Sequence, residues 1–263
     1  MSVAWIEPQW PAPAGVRVLS TLRMGGVSAS PYESLNLGGH VGDSAVAVAD
    51  NRQRLAAAAG LPSEPLWLTQ VHGINVVDLD AVLDVGTPES ADAAFTRSRG
   101  RVCAILTADC LPIVLAADSG DLVAAAHAGW RGLAGGVIEA TVQALKVPPA
   151  RLMAWLGPAI GPEHFEVGSE VREALLKGDS GAEVAFVPNP RGRFMADLGL
   201  LAHRRLAALG VGRIYSSGHC TFANGESYFS HRRDGVTGRQ ATLIWLEPIK
   251  DRPAPTKDRA GTA

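Results

Sequence analysis

The sequence predicts an α/β (α+β) domain in which mixed β-sheets are flanked by helices. Three observations carry this. Short unbroken apolar runs at residues 101–106 and 113–117 have the composition of strands buried on both faces. Helical patterns with start and stop signals separate some runs, while others are joined by gaps of hairpin length. A repeated βαβ barrel would need a helix after every strand, so a mixed sheet is expected instead. Finally, 263 residues with 47% hydrophobic and 19% charged side chains suffice for one large core.

The elements follow in chain order. Residues 16–20 read as a strand, and Gly25-Gly26-Val27-Ser28 and residues 34–39 as loop. Asp43-Ser44 offers a cap to a helix carrying Val46, Asn51, Leu55 and Ala59, which Gly60 and Pro62 end. Residues 66–70 and 75–79 form two short strands around His72-Gly73. Asp118-Ser119-Gly120-Asp121 turns the run at 113–117 into a strand at 122–126. A helix spans about 133–145, and a strand at 152–156 halts at Gly157-Pro158. Ser169 is the expected cap of a helix to Lys177, and Asp197 that of a longer one to Leu209. Residues 213–216 and 240–245 close the sheets. The domain is expected to span residues 1–249. Residues 250–263, with Pro253, Pro255 and little to bury, read as a disordered tail.

Composition excludes several classes. A net charge of -2 argues against a dedicated nucleic-acid binder. Three cysteines make a poor disulfide framework and fit a reducing compartment. The N-terminus lacks a basic start followed by an apolar run, and no apolar stretch approaches the ~20 residues of a membrane helix. The expected location is cytoplasmic, with no membrane and no nucleic-acid partner. No Walker-type loop and no GxGxxG occur.

The residues that stand out are His72, Cys110 and His127. They sit in Thr69-Gln70-Val71-His72-Gly73, Thr107-Ala108-Asp109-Cys110-Leu111-Pro112 and His127-Ala128-Gly129-Trp130-Arg131-Gly132. Two imidazoles and a thiolate suit zinc, and three protein ligands leave a position open for chemistry. No zinc-finger spacing is present, so spacing alone supports a plainer reading, a buried cysteine and two hydrogen-bonded histidines. A further alternative makes Cys110 a nucleophile with His127 or His72 as its base. A third uses copper, since His₂Cys is also a blue-copper ligand set. Seven histidines and no His-x-His pair leave few ligands for a multinuclear copper cluster.

Guanidinium groups suit phosphate or carboxylate, which singles out Arg23, Arg131 and the pair Arg232-Arg233. Arg131, between Gly129 and Gly132 and four residues after His127, is the strongest of them. Asp109, next to Cys110, is a candidate proton shuttle or a partner supporting the ligands; a structural turn carboxylate is the alternative. Gln70 and Asn36 are further candidate substrate-binding residues.

Taken together, these segments resemble the YfiH-like family, also called the laccase-domain or polyphenol-oxidase family. Matching pieces are Pro31-Tyr32-Glu33-Ser34-Leu35-Asn36-Leu37-Gly38, Ala91-Asp92-Ala93, Gly157-Pro158-Ala159-Ile160-Gly161-Pro162 and the stretch from Ser230 to Arg239, besides the three ligand motifs. They run in the family's order from about residue 20 to 245. The resemblance reverses the plainer reading of the histidines and cysteine. It implies a single domain of mixed sheets and flanking helices, with zinc held by His72, Cys110 and His127. It also implies phosphorolysis of adenosine, inosine, guanosine and methylthioadenosine, with deamination of adenosine. Purine nucleosides and phosphate are then the expected partners. Some bacterial members are linked instead to editing of cell-wall precursors, and an older description is copper-dependent phenol oxidase. Phosphorolysis would draw on Arg23, Arg131 or Arg232-Arg233 for phosphate. Deamination needs an activated water at C6, which a three-ligand zinc supplies.

Overall fold

The computed structural model describes residues 2–82 and 89–249. The tail expected at residues 250–263 lies outside the described residues. In chain order the elements are β1 (Trp5–Ile6), β2 (Val16–Thr21), α1 (Ala45–Ala59), β3 (Leu66–Trp67), β4 (Val76–Asp78), β5 (Ala93–Thr96), β6 (Val102–Thr107), β7 (Leu111–Ala117) and β8 (Val123–Ala128). They continue with α2 (Trp130–Gly135), α3 (Val137–Leu145), β9 (Leu152–Leu156), β10 (Glu166–Val167), α4 (Ser169–Leu176), β11 (Phe186–Pro188), β12 (Phe194–Ala196), α5 (Leu198–Ala208), β13 (Arg213–Ser216), α6 (His231–Asp234) and β14 (Gln240–Leu246).

Two mixed sheets carry the fold. The first has the order β1-β2-β14-β6-β3 and is antiparallel except where β3 runs parallel to β6. The second has the order β13-β9-β7-β8-β5-β4; its outer pairs are parallel and its inner pairs antiparallel. A small antiparallel sheet, β10-β12-β11, stands apart.

The period-2 alternation of a strand decides which core each residue joins. Along β7, Val114 and Ala116 face the first sheet and meet Ile105, Ile244 and Val18. Ile113 and Leu115 face the other way, onto Ile138 and Val142 of α3 and Leu201 of α5. Along β6, Cys103 and Ile105 face the second sheet, whereas Ala104 and Leu106 join Leu37 and Leu55 of α1. The layers are therefore α1, the first sheet, the second sheet, and α3, α4 and α5. Both faces of β6 and β7 are covered, which explains their unbroken apolar sequences. Leu55 is fully buried in the outer layer. Leu55→Ala is expected to cost about 2–5 kcal/mol in chemical denaturation and leave the ligand residues in place.

Several expected boundaries shift for identifiable reasons. The helix expected at 133–145 is two helices, because Gly136 at φ 99° ends α2 and begins α3. Ser169 is the first residue of α4 rather than its cap, and Gly168 precedes it. The strand expected at 66–70 stops at Trp67. Beyond it, the Gln70 side chain closes on the main chain of Leu106, donating Nε2 to its carbonyl and accepting its N–H, both at 2.8 Å. The Ser44 and Asp197 caps stand as expected, accepting from the main-chain N–H of Ala47 and Leu200. Among the described residues no helix is long and apolar enough to cross a membrane.

Candidate metal centre

One edge of the second sheet gathers the chemistry. His127 lies near the end of β8, paired opposite Pro112 of β7. Cys110 stands one residue before β7, where the chain crosses from β6 in the first sheet to β7 in the second. That crossing needs a sharp turn, and Asp109 takes it with φ 91°, a conformation that aspartate tolerates better than most residues. β5 begins at Ala93 opposite Ala126, which sets Asp92 beside His127; the His127 N–H donates to the Asp92 carbonyl at 2.7 Å. His72 comes from the loop between β3 and β4, itself left-handed at φ 60°.

His72, Cys110 and His127 converge, their ligand atoms all lying within 4.8 Å of one another. Cys110 Sγ is 3.9 Å from His72 Nε2, and the two imidazoles meet edge to face with centroids 4.8 Å apart. With bonds of about 2.0–2.3 Å, two ligands of one tetrahedral ion stand roughly 3.5 Å apart, somewhat closer than these donors, so the three can hold a single ion after a small inward shift. The cluster is graded in depth: His127 is 3% exposed, Cys110 half-buried and His72 open to solvent. Room for it depends on Gly129. A Cβ there would stand 2.9 Å from Cys110 Sγ and 3.1 Å from His72 Cδ2.

Asp92 braces the cluster. It is fully buried, and its carboxylate accepts four hydrogen bonds. Oδ1 takes the His72 N–H at 2.9 Å and pairs with His127 Nδ1 at 2.8 Å; Oδ2 takes the N–H of Val71 at 3.2 Å and of Gly73 at 2.6 Å. One carboxylate thus fixes the loop that carries His72 and the ring of His127, leaving His127 Nε2 to the cluster. Burial pushes the Asp92 carboxyl up, but the bonds from His127 and Gly73 outweigh it and hold it below its ordinary value. Burial also pushes the Cys110 thiol up, yet the charges and hydrogen bonds of His127 and His72 bring it down to about 6. Burial works against a charged His127 in turn, and Cys110 and Asp92 hold it up at about 9. The site therefore stabilises a thiolate, the form that binds metal or acts as a nucleophile.

Asp92 falls within the Ala91-Asp92-Ala93 motif, but the sequence alone assigns it no role. The available signal was a lone acid in Ala91-Asp92-Ala93, since a buried carboxylate requires several donors.

The other candidates are dispersed. Asp109 Oδ1 accepts from the Thr221 hydroxyl and Oδ2 from the Arg232 N–H, both at 2.7 Å, while its carbonyl accepts from the Ile160 N–H. It therefore ties three loops to the Cys110 turn. Gln70 is committed to Leu106. Asn36, fully buried, bonds Gly38, Asp43 and the Arg239 N–H. Arg23 donates to the carbonyls of Glu33 and Gly225 and lies over the Phe229 ring. Arg232 donates to the Glu166 carbonyl, and Arg233 to Thr221, Phe222 and Tyr228 and to the Asp234 carboxylate. Arg131 is exposed, its guanidinium 4.2 Å over the Trp130 ring.

A separate cavity of about 320 Å³ lies further along the same edge, between Ile160, His164, Asp197, Ser217 and Cys220. None of the three cluster residues lines it.

The chain matches the family described as multi-copper polyphenol oxidoreductase laccase over residues 17–247. It belongs to this YfiH family. A relative from Escherichia coli named purine nucleoside phosphorylase YfiH is 50% identical over 244 residues, covering 92% of this chain and 98% of that protein. A relative from Haemophilus influenzae named purine nucleoside phosphorylase is 45% identical, covering 92% and 99%. Among solved structures, a Neisseria meningitidis protein superposes with a TM-score of 0.89 at 47% identity, covering 93% of this chain and 99% of its own. YlmD from Geobacillus stearothermophilus gives 0.87 at 33% identity, covering 93% and 96%. The mixed α/β architecture is thus that of the YfiH family. Copper appears in the family's description, while two imidazoles and a thiolate suit zinc as well as copper.

Proposed function

We propose that the protein is a zinc-dependent purine nucleoside phosphorylase acting on adenosine, inosine, guanosine and methylthioadenosine, and that the same centre deaminates adenosine. The observation that carries this reading is the convergence of His72, Cys110 and His127 on one point braced by Asp92. The names borne by relatives over almost the whole chain support the phosphorylase half. When bound, zinc supplies Lewis acidity, polarising a substrate oxygen or nitrogen or activating a water.

In phosphorolysis a phosphate oxygen bonds to ribose C1′ as the C1′–N9 bond breaks. The purine leaves with the bonding electron pair and takes up a proton. In this reading the protein's part is to orient substrate and offset charge. Val71 and Ile74, both substantially exposed on either side of His72, offer apolar surface for a purine face. Arg131 stands free over Trp130 to meet an anionic group. Asp109 acts through Cys110, by holding the turn that presents it.

Purified protein is expected to hold about one zinc per chain. It should release free base from inosine plus phosphate, and form inosine from adenosine without phosphate; chelation should abolish both. Cys110→Ser should lower turnover by more than about 100-fold, because losing a mere supporting partner of a ligand already costs about 10–100-fold. Zinc-free protein without nucleoside turnover would overturn the reading.

A second reading has its own observation. Cys110, His127 and Asp92 form a thiolate–imidazole–carboxylate relay like that of a cysteine hydrolase. Editing of cell-wall precursors by amide hydrolysis would then survive chelation, which separates the two.

A further inference from the structure

Of the arginines singled out by sequence, Arg131 is open to solvent over Trp130 and Arg232 donates to the Glu166 carbonyl. Arg23 and Arg233 already face the Asp234 carboxylate, at 4.0 Å and 2.7 Å. The corner beside Cys110 contains a different cation. Gln240 pairs with Thr107 at the end of β6, so Arg239 stands opposite Ala108, two residues from Cys110. On the other flank of β6, Gln70 holds the His72 loop against Leu106. Arg239 and His72 thus bracket the Cys110 turn from opposite sides.

The placement of Arg239 is built rather than incidental. Its N–H donates to Asn36 Oδ1 at 2.9 Å and its carbonyl accepts from the Leu37 N–H. Its stem passes so close to Gly38 that a Cβ there would stand 2.8 Å from Arg239 Cγ. The guanidinium is half-buried and bonds the carbonyls of Thr237 and Gly238, with no carboxylate paired to it among the described residues. The Cys110 thiolate is within electrostatic reach of this guanidinium; with that charge shared with a metal, a half-buried cation is costly and a bound anion relieves the cost.

Two further observations agree. The nearby carboxylate, Asp109, has both oxygens taken by Thr221 and Arg232. At the same corner the buried hydroxyls of Thr107 and Thr237 find no hydrogen-bond partner.

We propose that Arg239 holds the phosphate that the reaction consumes. This rests on the phosphorolytic reading of the site. Arg239 would be a binding residue, engaging the dianion by charge-assisted hydrogen bonds while the purine lies toward Val71 and Ile74.

Titration calorimetry of the zinc-loaded protein with inorganic phosphate, without nucleoside, tests this. Arg239→Gln is expected to weaken phosphate binding at least about tenfold and Arg239→Lys less, with nucleoside binding retained. Arg17→Gln, at the distant start of β2, should bind as wild type. Wild-type affinity in Arg239→Gln would overturn the proposal, as would loss of phosphate binding in Arg131→Gln alone, or no binding by the wild type at millimolar phosphate. Phosphate binding that depends on Arg239 in a protein that turns over no purine nucleoside would sink the phosphorylase reading and leave the anion site standing.

Discussion

Asp92→Asn is expected to weaken metal binding at the His72–Cys110–His127 cluster while the fold survives. Asparagine has nearly the size of aspartate, so the core around it need not repack. It cannot replace the carboxylate chemically. Four donors converge on two oxygens: the N–H groups of Val71, His72 and Gly73, and His127 Nδ1. An amide NH₂ in place of either oxygen sets donor against donor, so one side of the brace fails. Either the His72 loop loosens or the His127 ring loses its fixed tautomer. Metal affinity should fall about 10–100-fold, measured by competition with a chromophoric chelator. Stability should fall by about 1–3 kcal/mol, the cost of leaving buried donors unsatisfied. Unchanged metal affinity would show that Asp92 only supports the loop.

Gly129→Ala is expected to disable the cluster at a modest cost in stability. Gly129 has φ −63° and ψ 160°, an extended conformation open to any residue, so alanine introduces no backbone strain. As the residue before α2, alanine is a poorer cap than glycine by less than about 1 kcal/mol. The added Cβ meets Cys110 Sγ at 2.9 Å and His72 Cδ2 at 3.1 Å, so both ligands must move. Two of three donors displaced by even a few tenths of an ångström no longer share one ion. Turnover should drop by about 100-fold or more, with the melting temperature shifted by only a few degrees. Full activity in Gly129→Ala would mean that the ligands relax freely and that the cluster is not closely fitted around its occupant.

The sequence alone already determined much. Apolar runs marked β6 and β7 because both strands are covered on each face, and such burial leaves no polar alternation to misread. Ser44, Asp197 and Gly60 marked helix ends because caps are local chemistry, settled within three or four residues. The ligand motifs were legible because small residues beside a histidine or cysteine leave characteristic tripeptides. The tertiary structure decided the rest. Asp92 lies 35 residues from the His127 it braces, and Arg239 is 129 residues from Cys110; no spacing rule reaches so far, and only strand register brings them together. Likewise Arg23, Arg233, Asn36 and Gln70 carry groups that suit a ligand, but main-chain carbonyls and amides reach them first. Sequence supplies the inventory of donors and acceptors. Which of them remain available to a substrate depends on what each meets once the two sheets close, because a buried polar group bonds its nearest partner whatever its chemistry would otherwise allow.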